Sequence, residues 1–357
     1  MKTPREDGFI MPAEYDEHSA TIMIWCERAG SWPHGAQPAR RVFAELIRTI
    51  SQGEKVYLAV SPRGRASAEK LLAEQIANKS VELWEVETDD CWARDIGPTF
   101  VKCGKQVRGV DWEFNAWGGE FDGLYPHWEK DNAFASFACK KLGLKYYSAR
   151  PFILEGGSIH SNGKGTVITT AECLLSEGRN IKMFKFQIED NLREYLGAKK
   201  VVWLPYGVYG DETNGHVDNV CAFVDENTVV LGWTEQDKYR KRLCEENLEA
   251  LQAAGINVIK IPFPEKPVMY TMHDLGGLVY EDGEIERNIG EPLAASYVNF
   301  YVCNAAVLVP VFGDNNDKVA LEILSKAFPQ KKIVPVFARE LLLGGGNIHC
   351  LTQQIPK

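Results

Sequence analysis

Helical and strand-like patterns of apolar residues alternate along the whole chain. In residues 39–52, apolar side chains such as Val42 and Leu46 recur at helical spacing, which predicts an amphipathic helix. The same periodicity predicts further helices at 65–79, 130–142, 180–196, 236–254 and 317–327. Short apolar runs predict strands at 55–60, 81–86, 200–204, 256–261 and 332–337. Alternation of this kind is typical of an α/β protein.

The chain also contains a longer repeated unit that is built from these helices and strands. Each copy has a small or polar corner, a short strand, a turn and a second strand, followed by a helix and another strand. The copies occupy residues 18–25, 94–114, 155–170, 214–233 and 295–310, and residues 344–354 are expected to complete the first. Corner residues Asp95, Glu155 and His216 lie roughly 60 positions apart. The pattern predicts about five ββαβ units.

Two arrangements of these units are open. A closed array would bury both faces of each sheet, leave few exposed strand edges and bring the corners together around one axis. The alternative is an ordinary doubly wound α/β sheet with hairpin insertions. No linker rich in Pro, Gly or Ser divides the 357 residues, so one domain over 1–357 is expected.

Composition and charge restrict the partners. Hydrophobic residues make up 45% of the chain, enough for a large core, and the formal net charge is -9 with no long block of Lys or Arg. Nucleic acid and anionic membranes are therefore not expected to bind. We expect no signal peptide after Met1 and no membrane span. The 9 cysteines have no framework spacing, which predicts free thiols and a cytoplasmic location.

Cys350 is a candidate nucleophile. It follows Gly344–Gly346 closely, and glycines allow a close approach of the backbone to a ligand. The alternative is a loose turn followed by a buried, inert thiol. A phosphate loop is not indicated, because no Lys-Ser/Thr pair and no helix pattern follow the glycines.

Two further motifs contain acid–base residues. Strand periodicity would place His216 and Asp218 on one face, and a His beside a carboxylate is a common acid–base arrangement. Glu155 precedes two glycines and could fix the tautomer of an imidazole. Each of these residues could equally belong to a solvated loop or turn.

The segment 89–98 concentrates acidic and aromatic residues before a Gly-Pro turn. Trp92 and Asp95 could form a pocket for a flat cation, in which the carboxylate accepts N–H bonds and the indole covers an apolar part. An exposed acidic corner is the alternative. Strand alternation would direct Arg94 away from Asp95.

Metal and serine chemistry are not indicated by the motifs. The chain has no CxxC, HExxH or GxSxG pattern. His349 and Cys350 are neighbours whose side chains would diverge on a strand. We therefore expect no metal and no cofactor.

Taken together, the motifs resemble one family. In chain order they are DDCWARDIGP, NAWGG, LEGGSIH, ETNGHVDN, the ASYVNF/FGDNND run and GGGNIHC. The combination, from about Gly8 to Pro356, resembles the agmatine deiminases of the bacterial-type peptidylarginine deiminase family, within the guanidine-modifying (pentein) superfamily. The resemblance implies a five-bladed α/β propeller of ββαβ repeats with pseudo-fivefold symmetry.

The resemblance also implies roles for individual residues. Cys350 would be the nucleophile, His216 the general acid and base, and Glu155 the group that orients His216. Asp95 and Asp218 would hold the guanidinium nitrogens. Trp92 would line the substrate channel, and Glu212 and Asp7 would lie near the distal amine.

The implied reaction is hydrolysis of agmatine, a small cationic guanidinium compound. Attack of Cys350 would give an S-alkylthiouronium intermediate and release ammonia, and water would then yield the ureido product. A bound cation and protonated His216 would lower the pKa of the thiol.

Other members and other classes of protein remain open. An arginine or peptidylarginine deiminase, or an amidinotransferase, would share this core, and a guanidine-binding protein without activity is a further alternative. The acidic residues near the site favour agmatine over arginine, whose extra carboxylate would need a cation. Cys26 and the loosely matching 272–292 segment, which could border the site, depart from the family pattern. A homo-oligomer is possible.

Overall fold

The computed structural model describes residues 2–357 and contains five small mixed sheets. Sheet 1 consists of β1 (His18–Ile24), β2 (Lys55–Val60), β3 (Val81–Glu85) and β16 (Gln353–Pro356). Sheet 2 consists of β4 (Thr99–Cys103), β5 (Gln106–Glu113) and β6 (Tyr146–Ile153). Sheet 3 consists of β7 (Ile159–Ser161), β8 (Thr166–Thr170) and β9 (Lys200–Leu204). Sheet 4 consists of β10 (Cys221–Phe223), β11 (Thr228–Trp233) and β12 (Asn257–Pro262). Sheet 5 consists of β13 (Tyr301–Val302), β14 (Ala306–Val311) and β15 (Lys332–Phe337).

Helices connect the strands within and between the sheets. They are α1 (Gln37–Ile50), α2 (Arg65–Leu71), α3 (Ala73–Ala77), α4 (Ala93–Ile96), α5 (Gly119–Asp122), α6 (Glu129–Lys141), α7 (Ala171–Leu174), α8 (Lys185–Leu196), α9 (Lys238–Ala253), α10 (Asp317–Ala327) and α11 (Arg339–Leu342). No helix within residues 2–357 is long and apolar enough to cross a membrane.

The predicted ββαβ unit is confirmed in every sheet. An antiparallel hairpin comes first, as in β10–β11, and a helix then leads to a strand that pairs in parallel, as in β11–β12. Sheet 1 follows the same rule with its first strand taken from the C-terminus, because β16 pairs antiparallel with β1. The C-terminus therefore completes the first unit as predicted, but with the strand at Gln353–Pro356 and not over 344–354.

Alternate residues of a strand enter different apolar clusters. In β11, Val229 and Leu231 pack in the cluster between sheets 3 and 4, whereas Val230 packs in the cluster between sheets 4 and 5. Other clusters link sheet 2 to sheet 3, and sheet 1 to both sheet 2 and sheet 5. The core therefore lies between neighbouring sheets in a cyclic order, which is consistent with the five-bladed propeller expected from the resemblance.

Most predicted elements are confirmed within two residues, and two helices differ. The helix predicted at 65–79 is interrupted at Leu72, whose φ of -119° and ψ of 22° separate α2 from α3. The helix predicted at 180–196 begins only at Lys185. Its first residues form turns, and Asn180 instead exchanges hydrogen bonds with the backbone of Ile153.

Candidate functional site

The corners of sheets 2, 3 and 4 meet in the interior. Helix α4 packs against the 3-10 turn Gly156–Ser158, which packs against the 3-10 turn Val217–Asn219. These short turns replace the strand extensions that the sequence predicted at Asp95 and at His216. Their side chains converge nevertheless, because each turn directs a polar residue toward the other turns.

Gly157 lies at the centre of this meeting point. A Cβ atom on Gly157 would lie 2.5 Å from His216 Nδ1, 2.8 Å from Asp95 Oδ1 and 3.1 Å from Asp218 Oδ2. Its N–H donates to Asp95 Oδ1 at 2.9 Å. Only glycine leaves room for three functional groups to approach the backbone this closely.

Asp95 is held by two donors and is almost fully buried. Besides the Gly157 amide, the indole N–H of Trp117 donates to Oδ2 at 3.0 Å. Trp117 reaches it from the NAWGG motif, where Ala116 and Trp117 both adopt left-handed φ angles of 54° and 63°. Such conformations are costly for residues with a Cβ and often occur at functional sites. Burial raises the pKa of Asp95 to about 6, and the nearby charges of Asp218 and Glu155 act in the same direction.

His216 lies between two carboxylates. Its Nδ1 is 3.8 Å from Asp95 Oδ1, and its Nε2 is 3.5 Å from Glu155 Oε2. Burial alone would lower the pKa of His216, but Asp95, Cys173 and Glu155 raise it well above its ordinary value. These neighbours therefore favour the protonated imidazole.

Glu155 is fully buried and pairs with Arg179, whose Nε is 2.8 Å from Oε1. Burial favours the neutral carboxyl, yet the Arg179 charge and His216 keep the pKa of Glu155 below its ordinary value. An ionised Glu155 is placed to fix the orientation of the His216 ring and to stabilise its protonated form.

Asp218 and Cys350 share one contact. The Cys350 Sγ lies 3.5 Å from Asp218 Oδ2 and accepts a hydrogen bond from Asn299 Nδ2 at 3.3 Å. The second oxygen of Asp218, Oδ1, is buried and has no hydrogen-bond partner. Burial, Asp218 and Asp95 raise the pKa of the Cys350 thiol well above its ordinary value. The thiol of the free protein is thus neutral at neutral pH, and its activation depends on what binds.

His349 does not diverge from Cys350, contrary to the expectation from strand geometry. Residues 348–351 form turns instead of a strand, and His349 Nδ1 lies 2.8 Å from the same Asp218 Oδ2. His349, Asn299, Trp117 and Gly157 lie within the family motifs, but the sequence indicated no individual role for them.

The glycine run, Gly344–Gly346, contacts Trp92 at one end and lines an open pocket at the other. A Cβ on Gly346 would lie 2.5 Å from the Trp92 ring, and one on Gly345 would lie 2.4 Å from Glu212 Oε2. Gly344 and Glu212 line a neighbouring pocket of about 310 Å³. Trp92 lies against this glycine run and stacks on Trp32 with 5.5 Å between ring centroids.

The pocket is strongly acidic. Its described lining includes six carboxylates and a single cationic side chain, Arg287. The carboxylates belong to Asp90, Asp122, Glu212, Glu284, Glu286 and Glu291. Such a surface attracts a positively charged group.

The 272–292 segment covers this pocket, and Arg287 anchors it. Arg287 Nε and Nη2 donate to the two oxygens of Glu212 at 3.0 and 2.9 Å. Its remaining N–H groups donate to the backbone oxygens of Ser31, Leu343 and Gly344. All five donors of the guanidinium are thereby used. The cation that the sequence indicated near these motifs was Arg94, and the structure adds Arg179 and Arg287.

Of the two acidic residues expected near the distal amine, Asp7 needs correction and Glu212 does not. Asp7 lies outside the site, where Arg108 and Tyr147 donate to its carboxylate at 2.8 and 2.7 Å. The N-terminal segment is fixed there because Ile10 pairs with Lys102 of β4. Glu212 lines the pocket and pairs with Arg287 through both oxygens, and its place near the distal amine stays a prediction.

Two buried groups of ligand atoms have spacings that suit a metal ion. They are Glu14, His160 and His349, and Glu155, Cys173 and His216. In each group a carboxylate already faces an arginine: Arg94 lies 3.3 Å from Glu14 and Arg179 lies 2.8 Å from Glu155. A fixed positive charge so close opposes the binding of a dication.

Comparison with known proteins gives the family. The model of the Porphyromonas-type peptidyl-arginine deiminases matches residues 10–356. The chain belongs to this family. A Selenomonas ruminantium relative, provisionally named an agmatine deiminase, is 49% identical over 99% of this chain and 97% of its own length.

Solved structures of this family superpose over nearly the whole chain. The agmatine deiminase of Enterococcus faecalis, described as catalysing its reaction, has a TM-score of 0.95 at 39% identity and covers 100% of this chain and 98% of its own. The C. jejuni agmatine deiminase with substrate bound has a TM-score of 0.84 at 29% identity, covering 98% and 96%. The predicted family and α/β fold are thus confirmed.

Proposed function

We propose that this protein is an agmatine deiminase that hydrolyses agmatine to N-carbamoylputrescine and ammonia. The observation that carries the proposal is a buried thiol, Cys350, in contact with Asp218 and close to Asp95, with an acidic pocket lined by Gly344 and Glu212 nearby. The family relationship and the relatives' activity support the same reaction.

The two carboxylates would bind the guanidinium group. Asp218 has a free buried oxygen, Oδ1, and Asp95 is fixed by Trp117 and Gly157. A planar cation held by both would be oriented with its central carbon toward Cys350, since Asp218 contacts that sulfur.

Substrate binding would also activate the thiol. Asp95 and Asp218 help to raise the pKa of Cys350 in the free protein. A guanidinium bound between them would cancel their charge and lower that pKa, so the thiolate would form where it is needed.

The chemistry then needs only His216. The Cys350 thiolate attacks the guanidinium carbon and forms a C–S bond. His216 gives its proton to the departing nitrogen, the C–N bond breaks, and ammonia leaves an S-alkylthiouronium. Neutral His216 then takes a proton from water, which attacks the same carbon. The C–S bond breaks, the remaining hydroxyl proton passes to the departing sulfur, and the neutral ureido product is released with the Cys350 thiol restored.

Arg287 disfavours arginine as the substrate. The α-carboxylate of arginine would need a free cation at the outer end, and every donor of Arg287 is already used. The acidic pocket suits the ammonium of agmatine and would repel a carboxylate.

A cytoplasmic location remains part of the proposal. All nine cysteines are free, which supports a reducing compartment such as the cytoplasm. A homo-oligomer stays a prediction.

Ammonia release from agmatine tests the proposal. Cys350→Ser should lower kcat by at least about a thousandfold, because a hydroxyl is a far weaker nucleophile at neutral pH. Its circular dichroism and Tm should stay near those of the wild type, and chelators should not affect the wild type. Near-normal turnover by Cys350→Ser, or no turnover by the wild type, would refute the proposal. Cys103→Ser is the matched control, because that thiol is exposed and outside the site.

A further inference from the structure

His349 contacts a carboxylate with each of its ring nitrogens. Nδ1 lies 2.8 Å from Asp218 Oδ2, and Nε2 lies 2.7 Å from Glu14 Oε2. All three side chains are at least nine-tenths buried. A hydrogen-bonded bridge therefore runs from Glu14 through His349 to the carboxylate beside Cys350.

The proton count of this bridge is constrained. A neutral imidazole has one N–H and one lone pair, whereas an ionised carboxylate can only accept. With two ionised carboxylates, a neutral ring would direct its lone pair at one of them. Two short contacts are satisfied together when the ring is an imidazolium and donates from both nitrogens.

The surrounding charges fit this assignment. Arg94 pairs with Glu14 at 3.3 Å, so two carboxylates face two cations. Burial raises the pKa of Glu14, yet His349 and Arg94 lower it far below its ordinary value. Burial and Arg94 lower the pKa of His349, but Glu14 and Asp218 raise it above its ordinary value.

His160, whose ring stacks on His349 with 6.1 Å between centroids, is the contrasting case. Burial lowers its pKa to about 4, and the charges of His349 and Arg94 act in the same direction. The pKa values of these two neighbouring rings are therefore shifted in opposite directions. The further titratable groups near the bridge are His216, Cys350, Asp95 and Asp211 beside Asp218, and Tyr301 beside Glu14.

We propose that His349 is a permanently protonated positioning residue, which keeps the Asp218 carboxylate ionised and directs its free oxygen toward the guanidinium group of the substrate. The bridge occupies Oδ2 of Asp218 and leaves the buried Oδ1 without a partner. The backbone N–H of His349 also donates to Asn299 Oδ1 at 3.0 Å, and Asn299 Nδ2 donates to Cys350 Sγ. His349 therefore fixes the carboxylate and the thiol relative to each other. The proposal rests on the proposed function.

The protonation state can be measured without a variant. In the free wild-type protein labelled with ¹⁵N-histidine, the His349 ring is identified through its own backbone resonances. Both ring nitrogens should carry a proton from pH 6 to pH 9. A His349 ring with one unprotonated nitrogen at pH 7.5 would overturn the proposal.

The role in catalysis is tested with His349→Gln. Without the cation, the pKa of Asp218 should rise and its carboxylate should lose alignment. We expect kcat/KM for agmatine to fall about 10- to 100-fold at pH 7, mainly through KM, as for the loss of a hydrogen bond to a charged group. Because Asp218 would then also have to lose a proton, the acidic limb of the kcat/KM profile should move to higher pH and become steeper. Part of the lost activity should therefore be recovered above pH 8.

His160→Gln is the matched control. It removes a buried histidine next to the bridge that is neutral, so it should lower Tm without moving the acidic limb. If the wild type is active and His349→Gln keeps the wild-type pH profile and KM, the role of His349 is refuted and the proposed function is not. An inactive wild type would refute the proposed function instead, and the ring protonation would still decide the charge of His349.

Discussion

The carboxylate of Asp95 shows how a single residue in this site depends on its surroundings. Its sequence context indicated a cation-binding acid, but its pKa of about 6 arises from burial and from Asp218 and Glu155. Those neighbours come from other sheets. A carboxylate with this pKa changes charge close to physiological pH.

The expected consequence is an acidic limb in the rate profile. A carboxyl whose pKa is raised must lose its proton before it can hold a guanidinium, so kcat/KM for agmatine should fall as the pH drops below about 6. Ammonia release measured from pH 5 to pH 8 tests this. Asp95→Asn should reduce kcat/KM at every pH and remove the limb near 6. A flat profile down to pH 5 would contradict the assignment.

At the scale of elements, the 3-10 turn Gly156–Ser158 needs a residue without a side chain at its centre. Gly157→Ala should lower kcat/KM by at least about a hundredfold, because the methyl group would displace His216 and Asp95 from positions 2.5 and 2.8 Å away. Steady-state kinetics and a melting curve measure the effect. Gly104→Ala is the control. Its φ of 56° makes the change costly by about 1 kcal/mol, but nothing lies within 4 Å of the added carbon. Activity should be kept.

The 272–292 segment is a second element whose contribution the structure makes specific. Arg287 joins it to Glu212 and to the backbone near the glycine run. The wild type should prefer agmatine over arginine at least about a hundredfold in kcat/KM, since a buried unpaired charge costs about 2–5 kcal/mol.

Arg287→Ala should raise KM for agmatine about tenfold or more, because the covering segment loses its anchor.

Arg242→Ala is the matched control for Arg287→Ala, since Arg242 pairs with Glu246 on the exposed face of α9. It should leave both substrates unaffected. Comparable specificity constants for arginine and agmatine in the wild type would contradict the interpretation of the acidic pocket.

At the scale of the whole molecule, the C-terminal strand closes sheet 1. β16 pairs with β1 and begins three residues after Cys350. Deletion of residues 353–357 should lower Tm by roughly 5 °C or more and abolish activity, because sheet 1 loses a buried strand next to the nucleophile. Thermal melts and ammonia release test this together. Lys357→Ala, which changes an exposed side chain, should alter neither measurably. Unchanged stability after the deletion would refute the closing role of β16.

Much of the architecture could be predicted from the chain. The helix at 317–327 and the strands at 55–60, 200–204 and 332–337 are found with the predicted bounds. They depend on local periodicity, which one sequence contains. The ββαβ repeat was also visible, because each unit must bury similar faces. The break at Leu72 was not predicted, since apolar spacing continues through it.

The sequence by itself determined the repeat, the family and the motifs that contain Asp95, Glu155, His216, Asp218 and Cys350. It did so because strand and helix patterns are local and because motif order survives in the chain. Only the tertiary structure decided which of these groups are charged and what they face. His349, Arg179 and Arg287 acquire their roles from partners more than 20 positions away, and the place of Asp7 outside the site comes from the packing of the N-terminal segment. Burial and distance fix a pKa, and both exist only after the sheets have come together.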